Sequence, residues 1–268
     1  MKGFVMSNDD PYRASTSGYA VPQHGRGMEY GRILSFVFES PNWLMNIVWG
    51  ALCALLGSMV IGQLVMYGYQ SQIMIDSVRN PNGQYPDFDS NKIGDYLIRG
   101  LWIWLGILIA SILLGIVALA LILFFGAILA LVGSLTAGAN GEASVPVIIV
   151  LIVGYVTLFG TLTVLGFVVV APVSIKVGLT GNLAEMFDFQ WHIDFIQKTF
   201  GSLVMGALMM FLISILLSFC GMLLCFVGVF PAAGWIMLSQ AQMFSQLYRT
   251  YLERGGRPVQ IQLLGSSF

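Results

Sequence analysis

Four stretches of this chain contain no Asp, Glu, Lys or Arg: Ser40 to Ile75, Gly100 to Gly141, Ala143 to Ile175 and Thr199 to Tyr248. About 20 predominantly apolar residues in a helix cross the roughly 30 Å hydrocarbon core of a bilayer, so each stretch holds at least one crossing and three have room for two. A soluble fold of 268 residues would bury a good core, yet it would still need a charged, hydrated shell. Charged residues are only 9% of the chain, against roughly 25% in an ordinary soluble domain, and they are clustered. Hydrophobic residues reach 57% and the mean hydropathy is +0.83. The pattern predicts an all-α fold: a polytopic integral membrane helical bundle with the lipid bilayer as its first partner.

A net charge of −1 argues against a nucleic-acid partner, which would call for a basic stripe. Cys53, Cys220 and Cys225 lie inside apolar runs, and the five-residue spacing of the last two does not suit zinc. Residues 1–29 are polar, with scattered Gly, Pro and Ser and no apolar signal-peptide core. They are expected to form a disordered cytosolic tail, and the first apolar segment to act as an uncleaved anchor. Residues 30–252 then form the transmembrane domain, and 253–268 a short cytosolic tail.

Trp43 to Ile75 would be about 50 Å long as one straight helix, too long for a single crossing; two arms meeting near Gly57-Ser58 fit better. Ile98 to Val132 reads as one tilted helix that projects from the bilayer, or as a helix broken near Gly115 or Gly126. A small-residue loop follows (133–145), and Pro146 stands at the opening of the next helix, where proline is tolerated; that helix is expected to end near Pro172. Thr199 to Tyr248 crosses twice, turning within 221–231. With the amino terminus inside and six crossings, all twelve Lys and Arg fall in the inner segments 1–42, 79–99, 176–198 and 249–268. Cytoplasmic loops accumulate these residues, so the expected location is the plasma membrane with both termini cytoplasmic.

The segments also repeat. Asp87-Phe88 and Asp188-Phe189 each open a charged, amphipathic stretch, with the Phe twelve residues before Gly100 and Gly201 respectively. Tyr30 to Glu39 has a similar place before the first arm. The closing arms Gly62 to Arg79 and Gly234 to Tyr251 share a Gly start, mid-helix glutamines and a basic end. Three units follow, each an interfacial segment and a transmembrane hairpin.

SFVFESPNWL (35–44), PDFDSNKIGDYLIRGL (86–101), Ala171-Pro172 with the following VSIKVGLTGNLAEMFDF, and FGSLVMGAL (200–208) together resemble a prokaryotic family of multi-pass membrane proteins, domain of unknown function 4013. The likeness covers roughly residues 30–252. The family often has a Pro-Gly-rich break in its first hairpin, where this chain has Leu56-Gly57-Ser58. The resemblance implies a membrane fold and nothing about a substrate.

Ionisable side chains buried in a membrane point to transport or proton relay, and no predicted span carries one at its centre. Asp76, Arg79, Arg99 and Lys176 stand at the cytoplasmic ends, within reach of headgroups. A neutral polar path would run along Gln70, Gln242, Tyr67 and Ser239 on the two similar arms; interhelical hydrogen bonding accounts for the same residues. The most polar cytoplasmic cluster holds Asp87, Asp188 and His192. Asp188 and His192 are four apart and share a helix face, as a metal pair would, although a headgroup-facing amphipathic segment explains them equally. No phosphate-binding glycine loop, nucleophile elbow or His-Glu-x-x-His run is present. The expectation is therefore no catalytic site and no cofactor. The chain reads as a structural or partner-binding module engaging another membrane or cytosolic protein, with a channel or transporter for a small neutral solute as the alternative.

Overall fold

The structure, a computed structural model, describes residues 27–81, 83–136, 145–223 and 227–264. The expectations for 1–26, for the loop at 137–144, for 224–226 of the last turn and for 265–268 lie outside these residues. Among the described residues there are helices and no strands. A short α1 (Tyr30–Ser35) and a 3-10 turn (Phe36–Glu39) lead into α2 (Trp43–Leu55), and a second 3-10 turn (Leu56–Met59) reverses the chain into α3 (Ile61–Arg79). The long pair α4 (Ile93–Thr136) and α5 (Val145–Thr180) follows, then α6 (Phe189–Leu223) and α7 (Val229–Glu253).

The break in the first apolar stretch falls where the small residues Gly57-Ser58 predict it, and it is completed at Val60, whose φ is +65°. The second stretch is one continuous helix: α4 runs through Gly115 and Gly126 for 44 residues, about 66 Å at 1.5 Å per residue. The third departs from expectation. Pro172 does not end α5, which continues to Thr180. Proline removes one backbone donor, but residues 171–180 are all buried, and packing on every side holds the helix together past the defect.

Three segments, Ser90–Ile128, Ile152–Thr180 and Phe189–Leu223, are long and apolar enough to cross a membrane. On their outer surfaces Ile116, Leu123, Phe159 and Leu212 are 64, 65, 67 and 65% exposed, an apolar face far beyond the patches a water-soluble monomer presents. These are the features of a membrane protein. Six crossings do not follow from helix length alone, because α2, at 13 residues, is only about 20 Å long.

The two arms that the sequence likens to each other form the inside of the bundle. α3 packs on α2, α4, α5 and α7, while α7 packs on α2, α3, α5 and α6. Glycine sets the closest approach. A β-carbon at Gly68 would overlap the backbone of Tyr96, and one at Gly100 the carbonyl oxygen of Leu64, so α3 and α4 cross backbone to backbone as small residues allow in membrane bundles.

Candidate functional site

One end of α5 gathers the polar chemistry of the molecule. The helix stops at Gly181, which takes φ +67° and donates its N–H to Val177 O at 2.8 Å, a left-handed cap that residues with a β-carbon resist. Asn182 then accepts from Ala184 N and starts a 3-10 turn, Leu183–Phe187. Asp188 accepts from Trp191 N at 3.1 Å and so caps α6. These two caps carry the chain back past Lys176.

Lys176 is 2% exposed. Its Nζ lies 2.8 Å from Glu185 and 2.7 Å from Asp188, and 5.3 Å from the centre of the Trp191 ring. A buried ammonium is tolerated when carboxylates and an aromatic face surround it. The ion pair with Lys176, helped by the Trp191 amide, holds the Asp188 carboxyl below its ordinary value against the opposing effect of burial. A depressed carboxylate contributes stability that is complete above its ordinary pKa and is lost as pH falls through the folded value. The melting temperature should therefore hold from pH 7 to about 5 and fall below about pH 4, less steeply in Asp188→Asn, which retains the cap. Equal acid limbs in the two proteins would contradict this.

The segment after α7 does not stand free as a polar tail. Past Gly255 it crosses the ends of α5 and α6 without regular secondary structure. Tyr251 Oη accepts from Arg257 N at 3.0 Å and Tyr248 Oη from Val259 N at 2.9 Å. Trp191 Nε1 donates to Arg257 O at 3.1 Å, and Gln262 N donates to Leu179 O at 3.0 Å. Arg99 Nη2 donates to Gln262 O. Under this strap lies a cavity of about 750 Å³, with Lys176, Asn182, Glu185, Asp188, Trp191 and Gln262 in its wall. Arg99 and Lys176, expected to reach toward headgroups, are thus enclosed by protein instead, Arg99 being 4% exposed. The irregular strap that encloses them has no periodicity from which sequence could foresee it.

The other sequence candidates separate. Asp87 binds Ser40, Asn42 and Asn46 at 2.5, 2.5 and 3.1 Å, and these hydrogen bonds hold its carboxyl below the ordinary value. It ties the 80–89 segment to the start of α2 and shares no partner with Asp188. The His192 ring bonds through Nε2 to Met186 O at 3.0 Å, so Nε2 is the protonated nitrogen, and Nδ1 is buried without a partner. Asp188 faces Lys176 instead, and no group of three His, Cys, Asp or Glu able to hold a metal occurs among the described residues. Gln70 Nε2 donates to Met237 O at 3.4 Å, joining α3 to α7. Gln242 Oε1 accepts from Ser245 on its own helix, and Tyr67 Oη from Gln63. Ser239 is fully buried. None of these four lines the 750 Å³ cavity.

The model of the protein family of unknown function DUF4013 matches residues 51–226, most of the chain and most of the region in which the sequence motifs lie. The chain belongs to this family. No curated protein and no solved structure matches it. In this DUF4013 protein the family match takes in Arg99, Lys176, Asp188 and His192 but stops before α7 and the strap, so half of the cavity wall lies beyond it.

Proposed function

We propose that this protein is a non-enzymatic, multi-pass plasma-membrane protein that binds a partner protein at the face formed by Lys176, Asp188 and the strap. The observation that carries this reading is the disposition of its polar groups. Inside the bundle Gln70, Ser71 and Tyr96 make their hydrogen bonds to neighbouring helices, whereas the open polar cavity stands at one end. Interhelical bonds of this kind stabilise membrane bundles by roughly 0.6 kcal/mol each. The two closing arms pack against each other, which supports an origin in three repeated hairpins. The placement of all twelve basic residues supports six crossings with both termini in the cytoplasm.

A solute path along Gln70 and Gln242 gains less support, since these side chains are 6 and 2% exposed. Purified protein in proteoliposomes should leave swelling in small neutral solutes at the empty-liposome rate. A photo-crosslinker at Gln260 in native membranes should trap one reproducible partner, and Lys176→Met should weaken that adduct at least fivefold. Swelling above the empty-liposome rate that Gln70→Ala abolishes would replace the binding reading with the channel.

A further inference from the structure

Two cations are buried at this end of the bundle, and they are treated differently. Lys176 has two carboxylates within 2.8 Å. Arg99 is 4% exposed, and among the described residues it has no carboxylate partner, its guanidinium bonds only the carbonyl of Gln262, and its buried Nε has no acceptor. An arginine cannot shed its charge, and a buried, unpaired charge is among the more unfavourable arrangements a fold can carry. Five N–H donors arranged as a rigid fork suit a phosphate or carboxylate.

A place for such an anion adjoins the guanidinium. Trp102, Gly181, Asn182, Leu183 and Gln262 line an open pocket of about 280 Å³, and two of these residues touch Arg99. A β-carbon at Gly181 would strike Arg99 Nη1 and meet Gln262 Oε1, so the guanidinium lies directly against Gly181, one residue from the pocket, only because this position has no side chain. Asn182 and Gln262 bring amide donors. Trp102 stands at the start of the charge-free stretch that begins at Gly100, and indoles mark the headgroup level in membrane proteins.

We propose that Arg99, with Asn182 and Gln262, forms a binding site for a phosphate group, supplied by an anionic lipid headgroup or as the free ion. The site shares Asn182 and Gln262 with the wall of the Lys176 cavity but is centred on Arg99, so the partner-binding reading, tested at Lys176 and Gln260, can fail or hold independently of it.

The test compares full-length protein in nanodiscs of phosphatidylcholine, of phosphatidylglycerol, and of phosphatidylcholine with added inorganic phosphate. A bound ligand raises the melting temperature by mass action. The wild type should melt about 5 °C higher in phosphatidylglycerol if a lipid supplies the anion, or show a saturable rise with inorganic phosphate if the free ion does. Arg99→Met should lose the rise. Gln262→Glu, which places a carboxylate beside the fork, should lose it too while melting higher than wild type in phosphatidylcholine, so the test holds even where Arg99→Met fails to fold. Lys92→Gln removes an exposed cation and should keep the rise. No rise in the wild type, or one that persists in Gln262→Glu, overturns the site.

Discussion

Gly100→Leu should leave almost no monodisperse protein after detergent extraction, whereas Gly126→Leu on the same helix should behave as wild type. A β-carbon at Gly100 meets the carbonyl oxygen and carbon of Leu64, which are backbone atoms and cannot rotate aside. Ordinary overpacking destabilises by about 1–3 kcal/mol because side chains shift; here the whole of α3 would have to move. It would carry Gly68 off the Tyr96 backbone and Gln72 away from the Tyr96 hydroxyl, which donates to it at 2.6 Å. Nothing lies within 4 Å of a β-carbon at Gly126, so a leucine there only adds apolar surface. Size-exclusion profiles of fluorescent fusions compare the pair directly, and equal peaks would refute the backbone contact as the determinant of the α3–α4 crossing.

Lys176→Met should lower stability by about 2–3 kcal/mol, somewhat below the roughly 3–5 kcal/mol of a fully buried pair, because the carboxylates reach solvent. Their side chains are 37 and 41% exposed, against 3% for the lysine. Without the cation two carboxylates face each other, and the Trp191 ring loses the charge above it. The apparent melting temperature should drop by roughly 5–10 °C. The triple variant Lys176→Met, Glu185→Gln, Asp188→Asn should recover most of the drop, since removing every member of an ionic group is far milder than removing one. A triple variant no more stable than the single one would show that Lys176 acts through packing alone.

What the sequence made legible is what one helix can announce by itself. Charge-free length announces α4, α5 and α6, and Gly57-Ser58 announces the reversal between α2 and α3. The likeness of the two Gln-bearing arms is echoed in their shared interior position, because both must offer hydrogen bonds to neighbours on several sides. What remained hidden depends on what covers a helix end. Arg99 and Lys176 sit at span boundaries, as snorkelling cations do, and nothing in their own neighbourhoods says that residues 257–263 return to cover them. That return rests on the Tyr248 and Tyr251 hydroxyls and the Trp191 indole, aromatic side chains whose polar tips bond outside their own helices. Asp188 and His192 were placed on one face by their spacing, but Asp188 terminates a helix, so its carboxylate turns back toward Lys176 and the amide of Trp191.

The unequal lengths of α2 and α4 bear on the surrounding lipid. A helix of about 20 Å and one of about 66 Å belong to the same molecule, and no bilayer of uniform thickness matches both. Each ångström of mismatch costs a fraction of a kcal/mol, relieved by tilt or by lipid deformation. On the six-crossing reading the leaflets would be drawn together beside the first hairpin, while along α4 and α5 they would be held apart or the pair would lean. A first hairpin that crosses the membrane, as the six-crossing reading proposes, would impose a thickness gradient across the protein's own width and favour membrane regions where that gradient already exists.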